Sequence, residues 1–144
     1  MKVVILLISI IGFTTFSCKK SDSIFPASLE GKWRMIIVKD NVSGLTTTKP
    51  STIHGDVDIT FASTSSANGT FTGNTPTNDI RPSDYSIGTN QSITIHNLGM
   101  TKVMETSWGN EFVANIRSAQ KYDFEIGGRL NIRTTNKTLV FRKL

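Results

Sequence analysis

The stretch "SWGNEFVANIRSAQKYDFEIGGRLNIRTTNKTLVFRKL", residues 107–144, decides the fold because its hydrophobic period changes once along its length. In the first part, apolar residues recur at the spacing of one helix face; they are Trp108, Phe112, Val113, Ile116 and Ala119. This spacing predicts one helix over about residues 108–120. Ser107 is a suitable N-cap, and Asn110 and Glu111 suit the positive end of the helix dipole.

After the helix, the period becomes the two-residue alternation of β-strands. The segment "KYDFEIG" alternates at Tyr122, Phe124 and Ile126, and two further strands follow with Leu130, Ile132, Leu139 and Phe141 as their apolar residues. Residues 127–128 and 135–137 have the composition of tight turns. The sequence therefore places the helix before three final strands.

The upstream half contains more short strands. Their inward residues are predicted to be Trp33, Met35 and Ile37; Val57, Ile59 and Phe61; Phe71; and Tyr85, Ile87, Ile93 and Ile95. Residues 88–91 form a hairpin turn, and residues 41–52 a loop. Residues 75–84 are predicted to be irregular, because two prolines remove donors from a sheet ladder. The fold class is thus mostly β (α+β): an antiparallel, barrel-like sheet of about eight strands with one helix that covers one end.

This order of elements resembles the META domain family of bacterial envelope lipoproteins and heat-inducible proteins, over about residues 29–144. The similarity rests on Gly31-Lys32-Trp33 at the first strand, "NGTFTGN" at the glycine-rich turn, Tyr85, the Ile-x-Ile strand that leads to Thr101, Glu111-Phe112, and the terminal Leu139-x-Phe141. The resemblance implies a non-catalytic binding or stress-related module. This chain lacks the cysteine pair that the family often carries, so no redox role is implied.

A lipocalin-like barrel remains the alternative, because a Gly-x-Trp strand also opens lipocalins. Lipocalins place their helix after the last barrel strands, whereas this helix precedes three strands. A lipocalin-like protein would carry a small apolar ligand inside the barrel, in a cavity of roughly 300 Å³ or more. The volume of the barrel interior therefore discriminates between the two functions.

The N-terminus, "MKVVILLISIIGFTTFSC", has the layout of a secretory signal: one charge, an apolar run and small residues. The apolar run is too short to span a bilayer, which takes roughly 20 residues. Cys18 directly follows Ser17 and resembles the lipid-attachment cysteine of bacterial lipoproteins, although Thr15 and Phe16 depart from that pattern. The prediction is a lipoprotein signal peptide over 1–17, a tether over 18–28 and one domain over 29–144. An ordinary secretory signal with an incidental cysteine is the other interpretation.

Lipid attachment at Cys18, with palmitate among its acyl chains, implies a membrane-anchored protein of the outer membrane. Lys19 and Lys20 favour a periplasm-facing anchor, because exported lipoproteins of this kind usually have acidic residues after the cysteine. Cys18 is the only cysteine, so no disulfide forms within the chain. "DSI" at 22–24 resembles an O-glycosylation acceptor of Bacteroidetes, with Ser23 as the modified residue.

Charge and motifs exclude several function classes. The net charge is +5, but the basic residues are scattered, so nucleic-acid binding is not expected. His54 and His96 lack the clustered partners of a zinc site, and Asp56, Asp58, Asp79 and Asp84 are interpreted as solvated or turn residues. Trp33 and Trp108 are interpreted as core anchors. The sequence predicts no enzyme, no cofactor and no metal, in a monomer whose ligand or protein partner it does not identify.

Overall fold

The computed structural model describes residues 28–144, which form nine strands and one α-helix. The strands are β1 (Gly31–Asp40), β2 (Thr46–Thr48), β3 (Asp58–Ser63), β4 (Asn68–Asn74), β5 (Asp79–Ile87), β6 (Ile93–His96), β7 (Lys121–Phe124), β8 (Leu130–Arg133) and β9 (Lys137–Lys143). Helix α1 (Ser107–Ile116) precedes the last three strands, and a short 3₁₀ turn (Thr89–Gln91) joins β5 to β6. The predicted signal peptide, and the predicted tether up to residue 27, lie outside the described residues.

All strands belong to one antiparallel sheet in the order β6-β5-β4-β3-β1-β9-β8-β7, with β2 paired to β1. The two edges approach each other where Ser92 bridges to Lys121 and the Ile93 amide donates to the Gln120 carbonyl at 3.0 Å. The sheet is therefore a nearly closed barrel, as the sequence predicts.

Large side chains fill the barrel interior. The largest fully buried ones are Trp33, Trp108, Tyr85, Phe61, Phe71, Phe112, Phe141, Ile59, Ile93, Ile116, Leu130 and Ile132. The Tyr85 and Phe61 rings pack edge to face at a centroid distance of 5.1 Å, and Phe71 stacks on Phe112 of the helix at 6.4 Å. Burial of Trp33 and Trp108 confirms their interpretation as core anchors.

The phase of β1 departs from the prediction. A bulge between Met35 and Ile37 leaves Ile36 without a partner on β9, so the alternation shifts by one residue. Val38 is therefore buried, whereas Ile37, which was predicted to face inward, is only half-buried. The prediction that Ile126 faces inward is also wrong. Strand β7 ends at Phe124, and Ile126 is 92% exposed in the turn that follows.

Two segments predicted as loops contain strands. Residues 46–48 of the predicted loop form β2, and residues 79–84 of the predicted irregular segment belong to β5. Pro82 fits in β5 because it lies in a bulge: Phe71 pairs with Ser83 and Gly73 with Ile80, so Arg81 and Pro82 together oppose one residue. The proline therefore takes a position where no ladder donor is required.

The helix is also shorter than predicted, and its N-cap is Thr106 rather than Ser107. The Thr106 side chain accepts a hydrogen bond from the Gly109 amide, and the helix ends at Ile116 instead of residue 120. Trp108, Phe112 and Ile116 are buried as the helical spacing predicts. Within residues 28–144, α1 is too short and too polar to cross a bilayer.

Because neighbouring strands are antiparallel, successive connections lie at opposite ends of the barrel. We call one end the helix end; it comprises residues 41–57, 75–78, 97–120 and 134–136. We call the other the tether end; it comprises residues 28–30, 64–67, 88–92, 125–129 and 144. The chain enters the domain through Ser28 at the tether end, away from α1.

Candidate functional site

A groove of about 410 Å³ lies at the helix end, between the loop that leads into α1 and the helix itself. Strand β6 ends at His96, and residues 97–106 form the loop that connects it to α1. The groove is lined by Asn78, Leu98, Gly99, Met100, Thr101, Lys102, Val103, Glu105, Val113 and Arg117. Polar and apolar side chains thus meet in one open depression outside the barrel.

Asn78 fixes the loop that forms one wall of the groove. Its side-chain nitrogen donates to the Val103 carbonyl and to Glu105 Oε2, both at 2.9 Å. Its side-chain oxygen accepts from Thr101 Oγ1 at 2.9 Å and from the Val103 amide at 2.8 Å. Asn78 is buried, so these bonds are shielded from water and hold residues 101–105 in one conformation.

Glu105 is the acceptor that joins the loop of residues 75–78 to the start of the helix. It accepts hydrogen bonds from Thr75 Oγ1, from Thr77 Oγ1 at 2.8 Å and from the Thr106 amide at 2.9 Å, besides the bond from Asn78. Burial alone would raise the pKa of Glu105, but the hydrogen bonds from Thr75, Asn78 and Thr77 lower it below its ordinary value. The carboxylate is therefore ionised at neutral pH and serves as a structural acceptor.

The same carboxylate explains why α1 has a glycine in its first turn. A Cβ at Gly109 would overlap the Glu105 carboxylate, so only glycine allows the two to lie together. The negative charge then lies beside the first amides of the helix, where the helix dipole favours it. The groove wall and the helix start are therefore one rigid unit.

Two cationic side chains, Lys102 and Arg117, line the groove on opposite elements. Both residues are exposed, and among residues 28–144 neither forms an ion pair. Arg117 makes one long contact, from Nη2 to the Leu98 carbonyl at 3.5 Å. Half-buried apolar side chains of Leu98, Met100 and Val113 lie between them. This arrangement suits a ligand with an anionic group and an apolar body.

The carboxylates singled out from the sequence form a different feature. Asp58 was expected to be solvated, but its side chain is only 6% exposed and accepts two bonds from Arg34, at 2.7 and 2.9 Å. Arg34 also reaches Asp56 at 2.7 Å, while Lys32 contacts Asp58 and Lys49 contacts Asp56. The hydrogen bond from Arg34 is the main cause that lowers the pKa of Asp58. These five charges form an ion-pair network on the outer face of the barrel.

The other predicted polar residues lie apart from the groove. His54 and His96 are exposed in different elements, and His96 Nε2 lies 2.9 Å from Ser86 Oγ. Asp79 and Asp84 are exposed residues of β5 rather than loop residues. Within the described part of the chain, no group of three or more metal-ligating side chains comes together. Cys18 and Ser23 lie outside the described residues.

The sequence analysis did not identify Asn78, Glu105, Lys102 or Arg117 as site residues. Asn78 and Glu105 are 27 positions apart and meet only because β5 and β6 pair and bring their flanking loops together. The one local signal was Glu105-Thr106-Ser107 directly before the helical spacing, an acid and two hydroxyl residues typical of a helix start.

Comparison with known proteins adds information on the fold. No protein-family model matches the chain, and no curated protein matches it. A crystal structure of a DUF4847 family protein from Bacteroides vulgatus ATCC 8482, solved at 1.00 Å resolution, is similar with a TM-score of 0.55. The two chains are 19% identical, and the match covers 81% of this chain and 95% of the other. At this identity the likeness shows a shared barrel fold. The resemblance to META domains stays a prediction.

Proposed function

We propose that the protein is a lipid-anchored, non-catalytic binding module of the bacterial cell envelope, attached through Cys18 and binding its ligand in the helix-end groove. The observation that carries the proposal is the groove itself: about 410 Å³ of open space lined by two cations that form no ion pair among residues 28–144, outside a barrel that is filled with large side chains. A filled interior favours binding on the outside of the domain.

The position of the groove fits an anchored protein. The chain enters the domain through Ser28 at the tether end, and the groove lies at the opposite end. An acyl anchor at Cys18 would therefore hold the groove away from the bilayer, toward soluble ligands. Two or three acyl chains would give stable anchoring at about 0.8 kcal/mol per buried methylene group.

The chemistry of the carboxylates supports binding rather than catalysis. Asp58, Glu105 and Asp123 all have a lowered pKa and accept structural hydrogen bonds. A general acid at neutral pH requires a raised pKa, so these groups are suited to hold structure and not to donate protons.

The ligand class follows from the groove lining. Lys102 and Arg117 offer donors for a carboxylate, phosphate or sulfonate, and Arg117 can bind such a group with two parallel hydrogen bonds. Leu98, Met100 and Val113 offer an apolar surface beside them. We infer a small anion with an apolar body as the ligand.

A lipocalin-like carrier is the second candidate, and one observation favours it. The Tyr85 hydroxyl is buried inside the barrel and has no hydrogen-bond partner in the described part of the chain. An unpaired buried hydroxyl costs about 1–3 kcal/mol, and a ligand that entered the barrel could satisfy it.

The two candidates are separated by anilinonaphthalene sulfonate, a fluorescent apolar anion. If the proposal is right, the dye binds saturably to the protein. The double variant Lys102→Gln/Arg117→Gln should then weaken this binding at least about tenfold, which corresponds to about 1.4 kcal/mol. Lys39→Gln, an exposed lysine on β1, is the matched control and should leave binding unchanged. If Tyr85→Phe weakens binding and the groove variants do not, the ligand lies inside the barrel.

Anchoring has its own test. Cys18→Ala should abolish incorporation of radiolabelled palmitate and move the protein from the membrane to the soluble fraction. Unchanged detergent partition of this variant would refute the lipid anchor and leave the groove proposal to the fluorescence result.

A further inference from the structure

The tether end exposes two apolar side chains at its outer limit. Ile126 is 92% exposed in the β7–β8 turn, which is closed by the hydrogen bond from the Gly128 amide to the Glu125 carbonyl at 3.0 Å. Leu144 is 51% exposed, and its amide donates to the Lys32 carbonyl at 2.9 Å. Neither side chain contributes to the core or to the helix-end groove.

Basic residues lie near these apolar side chains along the chain and across the β8–β9 pair. Arg142 and Lys143 precede Leu144, and Arg129 lies in the β7–β8 turn, directly before the Leu130–Phe141 pair. All three are exposed, and none has an ion-pair partner among residues 28–144. Lys32 lies beside them but contacts Asp58 at 3.3 Å. The acidic side chains of this end are Glu30 and Glu125, so basic side chains outnumber acidic ones.

We propose that the tether end docks on the anionic surface of the bilayer that holds the lipid anchor, with Ile126 at the headgroup boundary. The proposal rests on lipid attachment at Cys18. Ten positions separate Cys18 from Ser28, and even a fully extended segment of that length reaches only about 35 Å. The anchor therefore keeps this end close to the lipid, where basic residues attract anionic headgroups and apolar side chains can enter the interface.

The helix end provides the internal comparison. It also has an exposed apolar residue, Met104, which is 91% exposed and therefore equally available to lipid. Met104 lies one residue from the Glu105 carboxylate, and the chain does not enter the domain at this end. Lys102 also carries charge at this end, so the comparison rests on distance: the tether holds the opposite end near the bilayer, and Met104 should remain in water.

The test uses the full acylated protein, purified from membranes and reconstituted into vesicles of phosphatidylethanolamine and phosphatidylglycerol. Ile126→Cys and Met104→Cys each introduce one thiol, and acylation blocks Cys18, so an environment-sensitive fluorophore can be attached at a single position. Brominated lipids in the vesicles then quench a fluorophore that touches the bilayer. We expect several-fold stronger quenching at position 126 than at position 104. Raising the salt concentration should reduce quenching at position 126, because salt screens surface charge.

The charges are tested separately by Arg129→Gln with Lys143→Gln in the Ile126→Cys background, which should reduce quenching toward the value at position 104. Equal quenching at positions 126 and 104 would overturn the docking proposal while leaving the anchor intact. Protein that carries no acyl group by mass spectrometry and stays out of the vesicles would instead refute the lipid anchor, and the docking proposal would fall with it.

Discussion

Removing the charge of Asp58 tests whether the outer ion-pair network stabilises the barrel. In Asp58→Asn, Arg34 keeps its contact with Asp56 at 2.7 Å but loses two charge-assisted hydrogen bonds. Hydrogen bonds to charged groups contribute about 1.5–3 kcal/mol. Because the Arg34 side chain is 29% exposed, water can replace part of this loss. We expect the free energy of unfolding to fall by about 2 kcal/mol, near the lower end of that range.

The partner substitution should cost more. In Arg34→Met, the Asp58 carboxylate stays buried with Lys32 at 3.3 Å as its remaining cation. Breaking a buried pair from one side costs about 3–5 kcal/mol, because the other charge is left uncompensated. The double variant removes both charges and should therefore lose less than the sum of the single variants, with a coupling of about 1–2 kcal/mol.

The pH dependence has a defined sign. The pKa of Asp58 is lowered in the folded state, chiefly by the hydrogen bond from Arg34, so its contribution to stability is present at neutral pH. This contribution is lost as the pH falls below the ordinary aspartate value and through the lowered folded value. Urea denaturation of the four proteins at neutral and acidic pH measures all of these effects. Asp84→Asn, at an exposed outward position of β5, is the control. The reasoning would be refuted if the losses in free energy of unfolding were strictly additive in the double variant. It would also be refuted if the stability of Asp58→Asn fell with acid as steeply as that of the parent protein.

Three further outcomes follow from other contacts. Phe112→Ala deletes a fully buried ring that stacks on Phe71, so the free energy of unfolding measured in urea should fall by about 3–5 kcal/mol. Ile126→Ala should change it by no more than about 0.5 kcal/mol, and similar losses in both variants would contradict the observed end of β7. Gly109→Ala should lower the melting temperature, because the new methyl group displaces the Glu105 carboxylate. This loss should outweigh the helix propensity of alanine, which exceeds that of glycine by about 1 kcal/mol. A higher melting temperature would show that the carboxylate can move at little cost. An NMR titration of the Asp40 carboxyl should give a pKa of about 2, because the Ser43 amide, Lys137 and the Val42 amide all bind its ionised form. A midpoint near the ordinary aspartate value would show that the turn from Asp40 to Ser43 is open in solution.

The sequence predicts the fold class well because a strand's two-residue period is a local property. Val57, Ile59 and Phe61 alternate in the sequence and are all buried, and the change to helical spacing at Trp108 marks α1. The errors in β1 and β5 have a common cause. The bulges at Ile36 and at Arg81–Pro82 exist because a partner strand pairs on either side of them, and no residue within the segment itself reports that pairing.

The candidate site was beyond sequence reasoning for the same reason. Glu105 acquires its role from Thr75, Thr77 and Asn78, which reach it only after β4, β5 and β6 have paired. Asp58 likewise appears solvated in an alternating strand, and only the pairing of β3 with β1 brings Arg34 against it. In both cases an acidic residue gains its hydrogen-bond donors only in the fold.

The barrel interior argues physically against a large internal ligand site. Trp33, Trp108, Phe61, Phe71, Phe112 and Phe141 are all buried in it. Truncating a buried aromatic residue costs about 3–5 kcal/mol, so a cavity made by removing two or three of them would cost roughly 6–15 kcal/mol. A domain of this size has about 5–15 kcal/mol of stability in total. The side chains that stabilise the fold therefore occupy the space that an internal ligand would need. We favour binding at the helix-end groove, where Lys102 and Arg117 can be changed without opening the core.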